Sequence, residues 1–343
     1  MDAWRQREQD RRATVLGLPT VRLDHHAALR PVRADDVLVT AAPGPDGDLV
    51  AVWAAAEDVS ALESVTVQQG WATFPDAQAP QPVAVRVTSH SDAEVRLVAE
   101  IPELPLAHPF VQPLPGSQVL IVGARARWRD EGPDRNAIIY GADGQVVTSA
   151  TLGDGIEHVA TTAAGDVWVG YFDEGVYGNY GWGDESVPAP MGACGLARFD
   201  TELNSAWRFP SHSDQPWGAV DDCYALNVTG DGVWTCYYSD FPLVRIHDDA
   251  LTMWSHEVAG ARAIMVDPGR VGLFGGYGPD RDRLVLADLA QPKVNVLAHL
   301  RVVLPDGGDL PDRFRVYGRG RLLHIIAGDI WYQLDLAATA NAL

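Results

Sequence analysis

The chain has 343 residues and a mass of 37.1 kDa, 47% hydrophobic and 21% charged. That is long enough to bury about three quarters of its unfolded surface without a disulfide or metal staple, and the composition excludes a disordered chain, a collagen and a small cysteine scaffold. With 46 acidic against 26 basic residues, the net charge is −20 and the pI near 4.7, a field that repels nucleic acid and anionic lipid and favours cations or basic partners.

Residues 1–18 read as a short helical extension. Their first twelve residues, MDAWRQREQDRR, are polar and of mixed charge, with no apolar run behind them of the kind a signal peptide needs. No stretch approaches the ~18 apolar residues of a membrane helix. Three cysteines, Cys194, Cys223 and Cys236, lack CxxC spacing and read as small buried hydrophobes of a reducing compartment. These signals together point to a cytoplasmic protein with no membrane partner.

From residue 19 to residue 343 the expectation is a single all-β domain. An apolar strand, a tight Gly/Asp/Pro turn and a second apolar strand recur through it. The turns are Gly44-Pro45-Asp46-Gly47, Pro115-Gly116-Ser117, Ala164-Gly165-Asp166, Gly230-Asp231-Gly232, Pro268-Gly269-Arg270 and Gly318-Arg319-Gly320. The strands after them include LVAVWAA from Leu49, VWVGYF from Val167 and VWTCYY from Val233. Units of ~40–50 residues with four short strands are the signature of propeller blades. The predicted fold is therefore a six-bladed β-propeller, each blade of four antiparallel strands; seven blades, with an extra unit in residues 58–100, is the alternative. The last unit, from Asp312, supplies only three strands, and Pro19–Leu23 is placed to close it as a fourth, abolishing the sheet edge.

This rhythm, with the GDVWVG and DGVWTC strands, resembles six-bladed propellers of the gluconolactonase and streptogramin-lyase kind. The resemblance implies a propeller fold and, for the lactonases, a metal-bearing strand. The Glu-Gly-Pro that opens that strand in many propeller lactonases is replaced here by Glu157-His158-Val159.

The turns after the first strand of each blade are short, whereas several loops between the second and third strands are long: 54–82, 124–136, 173–195 and 275–283. Long loops in compact domains concentrate function, so the long-loop face is the expected working face. The richest loop runs from Asp173-Glu174 through Tyr177, Tyr180 and Trp182 to Asp184-Glu185. Its aromatics between glycines offer rigid, amphipathic contact surface, although an Ω-type loop packed by its own side chains reads the same way. Tyr238, Asp240 and Tyr277 fall on the same face and join Asp173, Glu174, Tyr177, Tyr180 and Trp182 as candidate ligand contacts. Arg125, Arg127 and Arg129 alternate nearby and read as a solvated strand edge or an anion-binding patch. Trp168, Trp234 and Trp331 fall within strands and read as core.

Near the start of each inner strand lie Asp35 and Asp36, His108, Glu157 and His158, Asp221 and Asp222, Arg262, and Asp312. Convergent carboxylates raise one another's pKa or require a cation. Asp36, Glu157, Asp222 and Asp312 are thus candidate ligands for a divalent cation such as Ca²⁺, with His108 or His158 as a base. Acids at turns also serve only to bond the local backbone. Two functions stay open: a platform that binds a small molecule or a protein through the long-loop face and channel mouth, and a metal-dependent hydrolase or lyase acting at that mouth.

Overall fold

The structure, a computed structural model, describes residues 2–67, 73–91, 94–184 and 186–342. It is an all-β, six-bladed β-propeller with a short N-terminal helix. The alternative of a seventh blade fails because residues 78–106 are the third and fourth strands of blade 1, Gln78–Ser91 and Glu94–Leu106. The chain divides into two compact units, one of Met1–Ala28, Ser213–Gly218 and Tyr224–Leu343, the other of Leu29–His212 and Ala219–Cys223.

The second unit holds blades 1 to 3. Their inner strands are Asp36–Pro43, Pro109–Leu114 and Ile156–Thr161, and their second strands Leu49–Ala55, Gln118–Gly123 and Val167–Tyr171. The second strands are apolar runs rather than alternating ones because both of their faces are covered, as expected for strands inside a stack of sheets. Val52, Val85, Ile121 and Tyr140 fill one core cluster; Leu120, Val169, Tyr171 and Phe199 fill another. In this unit the loops between second and third strands carry a helix at Val59–Leu62, a hairpin at Trp128–Arg129 with Gly132–Pro133, and a helix at Asp173–Tyr177.

The first unit holds blades 5 and 6 and all of blade 4 but the first two residues of its inner strand, Asp222–Thr229. Blade 6 supplies three strands of its own, Arg315–Arg319, Leu322–Ala327 and Ile330–Asp335. The strand that completes it is Asp24–Ala28, antiparallel to Ile330–Asp335, and not Pro19–Leu23 as expected. Thr20–Arg22 pairs in parallel with Arg301–Val303 instead and makes blade 5 five-stranded. Asn227 ties this unit's inner strands: its side-chain amide donates to the carbonyls of Ile264 and Gly320 and accepts from the Gly320 N–H. The helix Asp2–Leu16 buries one face, Glu8, Arg12 and Val15, at helical spacing. Its Arg12 is paired with the buried Asp282.

Candidate functional site

In the second unit the three long loops are woven around one buried cation. Arg125 is not on a solvated strand edge: its side chain is 2% exposed. It donates two parallel hydrogen bonds to Asp154, each 2.9 Å, and its Nη1 lies 2.7 Å from Glu174. Burial pushes the Asp154 carboxyl up, against the pull of Arg125 and of the Ala126 N–H. The Tyr180 ring lies between two guanidinium groups, 4.1 Å from that of Arg125 and 4.2 Å from that of Arg127. Its hydroxyl donates to the Pro75 carbonyl of the blade 1 loop at 2.6 Å. Arg129 pairs with Asp134, so the three arginines make no common stripe.

Trp182 completes the brace. It is buried, its indole N–H donates to the Ala126 carbonyl at 2.7 Å, and its ring meets Trp128 edge-on at 5.0 Å. Its face is therefore spent on packing, which corrects the expectation that it contacts a ligand. The same holds for Tyr180 and for the Glu174 carboxylate, both engaged by arginine. The tight path from Gly178 to Trp182 needs glycine at 178, where φ is +102° and a Cβ would meet the Trp182 carbonyl at 2.5 Å. Glu185 lies outside the described residues.

What this brace presents to solvent is Tyr177, 64% exposed. Its hydroxyl donates to Asp221. Beside it, Asp222 is half-buried, and burial together with the charge of Asp173 pushes its carboxyl up to about 6. The structure thus brings Asp173, Tyr177, Asp221 and Asp222 together.

Several of the other candidates are already engaged. Asp36 is gripped by Arg86 through both carboxylate oxygens, an ion pair internal to blade 1. Glu157 is exposed and His158 partly buried on the inner strand of blade 3. His108 donates from Nε2 to the Ser64 carbonyl at 2.7 Å, leaving only Nδ1 to act as a base. Asp312, in the first unit, is exposed and pairs with Arg281 at 3.0 Å. Among the described residues no three His, Cys, Asp or Glu side chains are grouped to hold a metal ion. Of the four carboxylates expected to hold a divalent cation, Asp36 and Asp312 are instead paired with arginines.

The first unit has its own aromatic cluster on the long-loop side. Tyr238 and Tyr277 are about half exposed, and both pack edge-on against Phe241, at 5.8 and 6.0 Å. The Tyr277 hydroxyl donates to that of Tyr224 at 2.8 Å. Asp240 is exposed beside them. Neither Tyr224 nor Asp154 was singled out by sequence reasoning. An aromatic at a strand start or an acid between two glycines carries no signal until its partner is known.

The YxzG family matches residues 211–264, well under half of the chain. No curated protein matches. Among solved structures, a virginiamycin B lyase from Staphylococcus aureus solved with quinupristin is 10% identical with a TM-score of 0.40, over 90% of this chain and 98% of that one. Apo AztD from Citrobacter koseri is 11% identical with a TM-score of 0.41, over 90% of this chain and 85% of that one. The extracellular domain of a hybrid two-component system from B. thetaiotaomicron is 11% identical with a TM-score of 0.42, over 92% of this chain and 39% of that one. No activity follows from likenesses this distant.

Proposed function

We propose that the protein is a binding platform that takes a positively charged group, on a small molecule or a protein, at Tyr177 and the carboxylates of Asp173, Asp221 and Asp222. The observation that supports this reading is an exposed aromatic ring, on a loop that is braced rather than loose, beside three acids. An aromatic face attracts a cation by its quadrupole, and a preorganised loop loses little entropy on binding. The net charge of −20 steers the same kind of ligand.

The test is calorimetric titration with spermine and with hexalysine at low ionic strength. At least one probe binds, and Tyr177→Ala and Asp222→Asn each weaken it about tenfold, or ~1.4 kcal/mol. No binding by either probe, or affinities unchanged in both variants, overturns the reading. One observation favours a second reading: a carboxyl at about 6 titrates where a general acid or base works. A hydrolase or lyase using Asp222 would lose turnover in Asp222→Asn, together with the pH–rate limb near 6.

A further inference from the structure

We infer that the first unit carries a second, separate binding site, a saccharide cleft on its short-turn side. A cavity of about 360 Å³ opens there, within the ~300–1,000 Å³ range of small-molecule sites. Its walls come from blade 4 and from the first turns of blades 4, 5 and 6, at Asp231, Pro268-Gly269 and Gly320-Arg321.

Two donors on its wall have no acceptor among the described residues: the indole N–H of Trp254 and the Nε–H of Arg245, both buried. Each residue is otherwise well placed. Trp254 is 7% exposed and stacks on Trp234 at 5.4 Å; Arg245 pairs with Trp234 across the sheet and lies 5.6 Å over its ring. One Arg245 Nη donates to the Asp231 carbonyl at 2.7 Å. Buried donors left unpaired cost free energy and call for an acceptor from outside the chain. An oxygen lodged in the cleft supplies one after a small turn of either side chain.

The lining also offers the complement. Asp231 and Asp267 line the same cleft, and neither carboxylate has an ion pair among the described residues. Arg321 is already paired with Asp335 at 3.0 Å. The cleft therefore shows donors and acceptors together, over an apolar floor of Val266 and Leu289, in place of a single sign of charge. A neutral ligand with adjacent hydroxyls and a C–H face satisfies all three: hydroxyl oxygens accept from Trp254 and Arg245, hydroxyl hydrogens donate to Asp231 and Asp267, and the C–H face covers the apolar floor. A peptide bound by strand addition needs an open sheet edge, whereas turns bound much of this cleft.

The experiment is titration of the full chain with glucose, galactose, maltose and cellobiose, read by tryptophan fluorescence and by saturation-transfer NMR. At least one sugar binds and perturbs the fluorescence. Trp254→Phe, which keeps an aromatic ring but removes the indole N–H, weakens binding about fivefold to tenfold. Asp267→Asn, at the cleft's rim, weakens it similarly, so a fold defect in one variant leaves the other to decide. Tyr177→Ala leaves sugar binding unchanged, which keeps this site distinguishable from the proposed cation site. Four silent sugars, binding indifferent to both variants, or hexalysine binding lost in Asp267→Asn, overturns the inference.

Discussion

Arg125 and Asp154 face each other through two parallel hydrogen bonds, each 2.9 Å, with both side chains 2% exposed. The pair joins the blade 2 loop to the turn before blade 3, and Glu174 adds the blade 3 loop to it. Removing one partner strands the other charge in the interior. Asp154→Asn is therefore expected to lower stability by about 3–5 kcal/mol. The double change Arg125→Met, Asp154→Leu is expected to cost less than the sum of its single changes. Urea unfolding measures both; near-wild-type stability in Asp154→Asn would show that the pair is no brace.

Asp222 gives the protein a pH signature. Its folded carboxyl titrates at about 6, above the ordinary value near 4, so the folded state binds the proton more readily than the unfolded state. Its contribution to stability is complete below about pH 4 and is lost as pH rises through about 6. For a half-exposed carboxyl, solvent screening leaves about 1 kcal/mol of this dependence. Asp222→Asn is expected to flatten unfolding free energy between these limits, and a carbon-detected NMR titration of the carboxyl reads its pKa directly.

The opposite sign belongs to Asp282. Burial pushes this carboxyl up, but hydrogen bonds from Arg12 and Arg301 outweigh it and hold the group below its ordinary value. Its contribution is present above pH ~4 and is lost as pH falls through the lower folded value. Asp282→Asn is expected to destabilise the chain by about 3 kcal/mol at neutral pH. Arg12→Met is expected to move the acid-unfolding midpoint upward and to loosen the helix Asp2–Leu16, seen as faster amide exchange there.

Gly318 has no room for a side chain. A Cβ would lie 1.8 Å from the Ile264 carbonyl oxygen of the neighbouring inner strand. Since Asn227 already bonds that carbonyl and the one at Gly320, neither strand is free to retreat. Gly318→Ala is expected to cost 2 kcal/mol or more, at the upper end of the ~1–3 kcal/mol typical of overpacking. Thermal unfolding checks it, with Gly230→Ala as the control because its Cβ would meet no atom within 4 Å and its φ lies outside the left-handed region.

The repeat itself was legible in the chain. Six turn-centred hairpins announced six blades, because tight turns and doubly covered strands need particular residues locally. The short-turn and long-loop sides followed from spacing alone, as did the buried places of Trp168, Trp234 and Trp331. The N-terminal pairing was not legible beyond its existence. Asp24-His25-His26-Ala27-Ala28 has no apolar alternation, and it becomes a strand only because Ile330–Gln333 offers it backbone partners.

The candidate site divided in the same way. Length and glycine–aromatic content marked the blade 3 loop, yet which of its side chains stay exposed depended on residues far along the chain. Arg125 reads as a surface cation until Asp154, 29 residues away, neutralises it in the interior. With Arg125 fixed, Tyr180 and Trp182 turn inward and Tyr177 is left facing solvent. The acidic excess of the whole chain was a matter of counting. Where that charge is spent on arginines, as at Asp36 and Asp312, and where it remains available, as at Asp222, was decided by tertiary structure. The physical reason is that a charge takes its role from the burial and partners it meets in the fold, and composition records neither.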